Sequence, residues 1–600
     1  MPVELLDQPE TPSTQWTPSR LCVALQGVSW STTSSTGESS IAEFPLLNAL
    51  QDPGQQQQAI VESVKSGKHR EVLMLQSEMG NYYLKRRQCR TVFERLKLKA
   101  GQSQFTREWK SWQQCKARQI PTIDLLALGK NEHGEEWLIS AAMKHLKAAN
   151  DLIDFLPSQP VSSQQHILSS LAQFIESMHS QGVLHQDFHS RNLHARVEND
   201  QQWHWLLVDM HPIHFGKSAH THQRLKHLAM FHHDFAQAFT TDQKLRFLNS
   251  YFQSWAKRNP AISSASFQSH FISQLQQQCR AYSSEAYNRS DRKWLRGNRH
   301  VTVKNSPEAE IRYLNRLPLK MQQRMTSRLP ELMTQNSPKE SIKSGSENSV
   351  FLTSFSFSGP EMDCVVKQRS VLYWLDWLHQ WGRHRSLKQA WNFGHAMRRR
   401  GISTPQPLAY FRLTPKKRSY FQEVLITERL AKAPSAMHVI HNSLTKMNSR
   451  QRDEFYKSYS HQMAIELQKL HQYRFDHRDL KPANWLIGGT VDQPQVWILD
   501  LDAVERWTYL PSTRKIRNLL RIVRAFQDLP EMRSTHLLRF LKSYLGERRK
   551  HRLRAYWRRL NRNRKHLSPK TLSAKTSLTN STSTNSADQQ QRPHSTAKAA

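Results

Sequence analysis

One set of residues occurs twice in this chain, and it constrains the fold more than any other feature. His185-Gln186-Asp187 is followed by Asn192 and then Asp209, and His477-Arg478-Asp479 by Asn484 and then Asp500. In both sets the Asn stands five residues after the first Asp, and the second Asp closes a hydrophobic stretch. The first Asp of such a set can accept a hydrogen bond from a hydroxyl. The Asn and the second Asp are hard oxygen donors suited to Mg²⁺, which takes few protein ligands and keeps water and phosphate for the rest.

Phosphoryl transfer needs these residue types because the protein does little covalent chemistry and must position an attacking oxygen while neutralising phosphate charge. On this reasoning Asp187 and Asp479 are the catalytic candidates, and Asn192, Asp209, Asn484 and Asp500 the metal ligands. Upstream, Asn81-Tyr82-Tyr83-Leu84-Lys85 and Met362-Asp363-Cys364-Val365-Val366-Lys367 are short strand patterns ending in Lys, the place for a residue that grips the α and β phosphates. Each follows a glycine-containing turn, with Gly67 before Lys85 and Gly345 before Lys367, though neither is a full GxGxxG. The expected fold class is α+β: two tandem protein-kinase-like bilobal domains, each with a β-rich N-lobe and a helical C-lobe.

The register between the halves supports a whole-domain duplication, too long in period for a solenoid. Lys85 stands 23 residues before Glu108 and Lys367 stands 23 before Ala390, and each of these positions opens a helix that reaches Ile120 or Ile402 twelve residues on. Leu245-Arg246-Phe247-Leu248-Asn249-Ser250-Tyr251 matches Leu538-Arg539-Phe540-Leu541-Lys542-Ser543-Tyr544. One difference matters inside this register. Glu108 can pair with Lys85 and aim it at phosphate, whereas the second half has Ala390 there. Conversely, the second half carries the fuller loop, His477-Arg478-Asp479-Leu480-Lys481-Pro482-Ala483-Asn484, where the first has Gln186 for Arg and His189 in the place of Lys481.

Both halves resemble the lipopolysaccharide kinase family, bacterial enzymes that phosphorylate Kdo or heptose sugars of the inner core. The resemblance rests on Glu108-Trp109 with Ile120-Pro121-Thr122, on Gly401-Ile402-Ser403-Thr404-Pro405-Gln406-Pro407-Leu408, on the two catalytic loops, on Leu499-Asp500-Leu501-Asp502, and on the Leu-Arg-Phe-Leu-x-Ser-Tyr helices. It implies ATP and Mg²⁺ as cofactors, with Gly67, Lys85, Glu108, Gly345, Lys367 and Lys481 at the nucleotide. Departures are Asp502 in place of the glycine of a DFG motif, Ala390, and Val208-Asp209-Met210 in the first half. After Asp500, Val504-Glu505-Arg506 leads directly into a helical pattern, with no activation loop or Ala-Pro-Glu anchor of a protein kinase. A sugar hydroxyl suits so small a C-lobe better than a docked polypeptide.

The anchors divide the chain into a partly ordered extension (1–58), a first kinase-like domain (59–285), a linker or N-terminal extension of the next domain (286–340), a second kinase-like domain (341–563) and a disordered tail (564–600). A strand is expected at Leu21 to Val28 and a helix around Leu314 to Met333. With 86 Lys and Arg against 49 Asp and Glu, the net charge is +37, which favours phosphate-rich partners. The tail segment Glu547-Arg548-Arg549-Lys550-His551-Arg552-Leu553-Arg554, with Tyr556, Trp557 and Leu560 at helical spacing, has two readings: a basic amphipathic helix lying on an anionic membrane surface, or the last helix of the C-lobe with a solvated basic face. Nucleic acid is disfavoured as a partner, because no reader motif or zinc-ligand spacing accompanies the charge.

No apolar run reaches the roughly 18 residues needed to span a bilayer, and Met1-Pro2-Val3-Glu4 lacks the pattern of a signal peptide. The expectation is a cytoplasmic chain, peripheral at most to the inner face of the membrane. Five widely spaced Cys without CxxC indicate neither a disulfide framework nor a metal site. The histidines His211, His214, His220, His222, His232 and His233 are taken as surface or core filler, Trp109, Trp112 and Trp391 as core, and His185 and His477 as supports of the catalytic loop. The leading expectation is an ATP- and Mg²⁺-dependent phosphotransferase acting on a sugar hydroxyl of lipopolysaccharide core or a similar glycolipid. Two alternatives stand beside it: a pseudokinase scaffold in which one or both halves bind nucleotide or partner without transfer, and a kinase of protein or small-molecule hydroxyls.

Overall fold

Leu73 and Leu75 alternate with more exposed neighbours along one strand, and Leu84 is buried on the next; this period-2 burial seeds the sheet of the first N-lobe. In the computed structural model the chain divides into two units, 1–286 and 287–600. The structure describes residues 17–25, 28–32, 60–66, 70–77, 80–143, 146–198, 202–235, 239–329, 341–343, 348–355, 361–372, 386–413, 420–526, 529, 532–546 and 550–565.

The first unit opens on helix α1 (Pro18–Leu25) and strand β1 (Ser29–Thr32). With β2 (Ile60–Ser66), β3 (Arg70–Ser77), β4 (Gly80–Gln88), β5 (Leu125–Lys130) and β6 (Glu135–Ala141), β1 makes an antiparallel sheet in the order β1-β5-β6-β4-β3-β2. The strand expected at Leu21 to Val28 is therefore mostly helix, and the strand follows it. Leu21, Leu25, Val28 and Trp30 are buried with Leu73, Leu75, Leu84, Trp137 and Ile139 in one cluster. Part of the extension thus completes the N-lobe, because four large apolar side chains within ten residues suffice to cover one face of a sheet.

The second unit repeats this plan with one more strand. β7 (Val301–Asn305), β8 (Ala309–Leu314), β9 (Ser341–Lys343), β10 (Asn348–Phe355), β11 (Met362–Leu372), β12 (Pro407–Leu413) and β13 (Tyr420–Glu428) follow the order β7-β8-β12-β13-β11-β10-β9. β8 occupies the place that β1 has in the first sheet. Residues 301–314, read as linker, are thus built into the second sheet, and the helix expected around Leu314 to Met333 is confined to Leu319–Ser327, with Met321 and Met325 buried. Of the two sequence readings, linker or N-terminal extension of the next domain, the pairing of 301–314 matches the extension; Lys304, Asn305 and Glu310 at the edge obscure the period-2 alternation there.

Each N-lobe holds one long helix against its sheet: α2 (Gln104–Ala117) in the first and α3 (Leu387–Arg399) in the second. Trp109, Trp112 and Trp391 are all buried on these helices. Both helices start the same way. Ser103 and Ser386 are N-caps, and their hydroxyls bond the buried carboxylates of Glu136 and Glu423, each of which sits opposite the residue two beyond Lys85 or Lys367 in the sheet register. Glu423 also accepts the Leu387 backbone N–H at 3.1 Å and the Tyr410 hydroxyl at 2.8 Å. A carboxylate fixed at a helix N-terminus satisfies orphan donors and complements the dipole.

The C-lobes pack long helices over the catalytic loops: α4 (Val161–Ser180) with α5 (Thr241–Ala256) in the first unit, and α6 (Ser449–Gln472) with α7 (Ser534–Leu545) in the second. The last helix, α8 (Lys550–Lys565), buries Leu560 and packs Leu553, Tyr556 and Trp557 against the second C-lobe core. Its apolar stripe is spent on the fold, as in the reading of a last C-lobe helix, and leaves a basic outer face. The expected disordered tail lies largely outside the described residues. Among the described residues no helix is long and apolar enough to cross a membrane.

Three left-handed backbone positions recur in register. Asp209 (φ 57°) matches Asp500 (φ 58°), Gly182 (67°) matches Arg474 (67°), and Gln119 (56°) matches Gly401 (67°). A left-handed conformation costs an L-residue unless packing imposes it. Its survival at matching places in two divergent halves, with glycine exchanged for a side chain, marks these turns as requirements of the fold.

Candidate active sites

The catalytic loops are held by their histidines. The His185 and His477 side chains donate through Nε2 to the Asp209 and Leu499 carbonyls at 3.1 and 2.8 Å, and their Nδ1 atoms accept the Asp187 and Asp479 backbone N–H groups, each at 3.2 Å. This fixes one neutral tautomer. Burial drives both imidazoles down, His185 to about 4. Asn192 and Asn484 donate through Nδ2 to the Asp187 and Asp479 carbonyls at 3.0 and 2.7 Å, which commits the amide nitrogen and leaves the Oδ1 oxygen for a cation.

In the second unit the predicted residues converge. Lys481 Nζ lies 2.7 Å from Asp479 Oδ2. Lys367 does not wait for a helix carboxylate; its ammonium bridges Asp500 Oδ1 at 2.5 Å and Asp502 Oδ1 at 2.7 Å. Burial alone would raise both acids, yet the hydrogen bond with Asp502 and the Lys367 charge hold Asp500 well below the usual carboxylate range. Burial and the Asp500 charge push Asp502 up. Lys367 is lowered by burial but raised more by the two carboxylates, so it stays charged.

In the first unit Lys85 Nζ meets Glu108 Oε1 at 2.5 Å, the pairing read from the sequence. Glu108 is fully buried. Asp209 instead accepts from His211 Nδ1 at 2.9 Å; against the upward push of burial, this bond and the Lys85 charge keep its carboxyl well below the ordinary range. Glu108, Asp209 and His211 each offer a ligand atom within 4.8 Å of the others. His211, taken from the sequence as filler, is therefore part of the site. It stands two residues after Asp209, the position of Asp502 in the other unit. Around Asp187 the arrangement is looser: its side chain is 67% exposed, with His189 Nε2 at 3.5 Å, against 29% for Asp479. Gly67 and Gly345 lie outside the described residues.

A further repeat escaped the sequence. His179 and His471, each eight residues before a catalytic Asp, donate through Nδ1 to Tyr251 and Tyr544 at 2.7 and 2.8 Å. Their Nε2 atoms accept from His227 Nδ1 at 2.8 Å in the first unit and from Asn518 Nδ2 at 3.0 Å in the second. The tyrosine of each Leu-Arg-Phe-Leu-x-Ser-Tyr helix is thus tied through a buried polar chain to the catalytic loop. The signal was present in the matched spacing of His and Tyr, but a buried His gives no periodicity of its own.

The oxygen donors Asn484, Asp500 and Asp502 fit Mg²⁺, a hard cation, whereas the first unit mixes oxygen with the imidazole of His211. No curated protein matches the chain. Among solved structures it is similar to WaaP in complex with acyl carrier protein, at 14% identity over 36% of this chain and 88% of that one, with a TM-score of 0.27. It is also similar to the BubR1 kinase domain, at 17% identity over 35% of this chain and 52% of that one, with a TM-score of 0.20. The model of the lipopolysaccharide kinase (Kdo/WaaP) family matches residues 52–251 and again 374–544. Two matches, one on each catalytic set and together covering more than half the sequence, make this chain a member of the lipopolysaccharide kinase family that carries the fold in two copies.

Proposed function

We propose that the chain transfers the γ-phosphate of Mg·ATP to a hydroxyl of Kdo, heptose or a similar sugar in a lipopolysaccharide core, and that the second unit performs the transfer. The observation that carries this reading is the Lys481 ammonium on the Asp479 carboxylate, with Asn484 tied beneath it. Asp479 accepts a hydrogen bond from the acceptor hydroxyl and takes its proton as the new bond forms. Lys481, beside the same carboxylate, supplies positive charge where the transferred phosphoryl group gains negative charge. Lys367, held charged between two acids, turns to the α and β phosphates while Asp502 keeps it in place. Asn484 and Asp500 would hold Mg²⁺, which neutralises phosphate oxygens when bound.

The first unit supports a different reading, binding of nucleotide or partner without transfer. Gln186 and His189 replace the Arg and Lys of the loop, Asp187 is two-thirds exposed, and an imidazole occupies Asp209. Exposed arginines on α8, among them Arg552, Arg554, Arg558 and Arg562, would draw a phosphate-bearing acceptor toward the second unit.

The test is radiolabel transfer from Mg·ATP to a glycolipid extract. Asp479→Ala is expected to lower transfer by roughly 10³-fold or more and Asp187→Ala by less than about twofold, the span that separates loss of a proton acceptor from loss of a bystander. Abolition by Asp187→Ala with Asp479→Ala active would overturn the assignment. Transfer to protein or free small-molecule hydroxyls in preference to glycolipid would overturn the acceptor.

A further inference from the structure

Along α3, within the second unit, lies a cavity of about 400 Å³ that the phosphotransfer reading does not use. Its lining includes Asp291, Trp294, Lys388, His395, Arg399 and Arg506. A volume of this size matches a small organic ligand.

The charges around it do not balance. Three guanidinium groups converge on one carboxylate: Asp291 accepts from Arg399 Nη2 at 2.5 Å, from Arg400 Nη1 and Nη2 at 3.2 and 2.7 Å, and from Arg506 Nη1 at 2.7 Å. The cluster carries two positive charges more than Asp291 offsets. Lys388, the remaining lining cation, is neutralised separately by Glu310 at 2.7 Å. Arg400 is buried and Arg399 half-buried, while Arg506 reaches solvent; cations short of anions in such a setting favour an anionic ligand.

The hydrogen bonds do not balance either. Gln406 Nε2 donates to His395 Nδ1 at 3.2 Å, which puts the ring proton on Nε2. That donor has no partner among the described residues, although His395 is only 2% exposed. Arg399 Nε and Nη1 are likewise sealed from solvent without an acceptor. The aromatic walls are already in place: Trp294 and Trp391 each lie 4.4 Å from the His395 ring, and Arg399 stacks 4.5 Å from Trp294.

We infer that this cavity binds a small phosphomonoester with a sugar body. A phosphate dianion supplies the two missing charges and the acceptors for His395 Nε2 and Arg399, and the half-buried Trp294 indole packs on the sugar. The inference does not depend on phosphotransfer by either unit. Because Gln389, also in the lining, donates to the Val504 carbonyl at 3.1 Å just beyond the metal loop, a ligand here touches the helix that borders the active site.

The test is isothermal titration of the full chain, its nucleotide clefts saturated with a non-hydrolysable Mg·ATP analogue, using ribose 5-phosphate, inorganic phosphate and ribose as probes. Ribose 5-phosphate is expected to bind, ribose not to, and Arg399→Gln and His395→Phe each to weaken binding about tenfold. Lys388→Gln, on the solvent side, is expected to keep the fold and weaken binding about threefold by loss of long-range attraction. Thermal melts identify any variant that fails to fold. No binding of ribose 5-phosphate, or affinities unchanged in all folded variants, would overturn the site; equal affinity for inorganic phosphate would overturn the sugar body.

Discussion

The two sites neutralise the same lysine with carboxylates that come from different places. In the first unit Lys85 takes Glu108 from the helix and leaves Asp209 to His211; in the second, Lys367 takes Asp500 and Asp502 from the loop, and the helix position is Ala390. Either way one ammonium stands among two carboxylates. The exchange is reciprocal in register, since Glu108 matches Ala390 and His211 matches Asp502. A carboxylate can therefore migrate from helix to loop without changing the charge around Lys85 and Lys367. A single-position reading counts Ala390 as a defect, whereas the folded site shows it compensated.

The comparison breaks most visibly in acid. Burial lowers His179, His185, His194, His227 and His232 in the first unit, with His185 and His232 at about 4 and His227 at about 3. Among the described residues of the second unit it lowers His395, His471 and His477. A histidine kept neutral by folding contributes nothing against the unfolded chain above pH 6.5, where both states are neutral. Below 6.5 the unfolded state takes up the proton and the folded state does not, so stability falls until the folded pKa is reached. Each histidine held far below 6.5 costs roughly 1 kcal/mol between pH 6.5 and 5.5, and the first unit has four of these, His179, His185, His227 and His232, against His395 and His471 in the second, so it should lose roughly 2 kcal/mol more. Hydrogen exchange resolved by unit, at the two pH values, measures this directly. Equal losses in the two units would mean that the buried histidines of the first unit gain compensating partners on protonation.

A smaller effect probes the exchange of carboxylates. Without Asp502, Lys367 has only Asp500, and an ammonium locked on the metal-binding acid opposes both nucleotide and cation. Asp502→Ala should raise the KM for ATP about tenfold, near 1.4 kcal/mol, and adding Ala390→Glu should recover at least half of that by restoring the first unit's geometry. Steady-state kinetics with varied ATP gives the answer. Failure of Ala390→Glu to help, in a variant that melts like its parent, would show that helix and loop carboxylates are not interchangeable.

Much of this was legible in the sequence because phosphate chemistry fixes both residue type and spacing. Asp479, Asn484, Asp500 and the two lysines could be named from order alone, and so could the Lys85–Glu108 pair. What stayed hidden depends on contacts between distant segments. Asp502 and His211 look like loop residues until the left-handed turn at Asp500 and Asp209 swings the following side chains back onto the site. The strands at 301–314 carry edge charges that blur their alternation, and β1 is only four residues long. Glu136 and Glu423 share their strands with Glu135 and Glu428 and stand out only when the sheet brings them beneath the helix caps Ser103 and Ser386.

The smallest expected effect concerns the buried chain behind each catalytic loop. In the first unit His227 accepts the His185 backbone N–H through Nε2 at 3.2 Å, so its proton sits on Nδ1 and is donated to His179. Asn518 makes the corresponding donation to His471 with an amide, and uses its second N–H on Asp476 Oδ1 at 2.9 Å. Substituting His227→Asn preserves the donor to His179 but loses the acceptor for the His185 amide and the ring stacked 4.1 Å from Phe188. The expected cost at pH 7 is about 1 kcal/mol, whereas His227→Leu, which leaves the His179 nitrogen without its donor, should cost about 2 kcal/mol or more. Because His227→Asn also removes one histidine that folding keeps neutral, the first unit should recover roughly 1 kcal/mol of the stability it loses between pH 6.5 and 5.5. A variant destabilised at pH 7 yet no less sensitive to acid would place the titration elsewhere in the first unit and leave the His–Asn exchange a matter of packing alone.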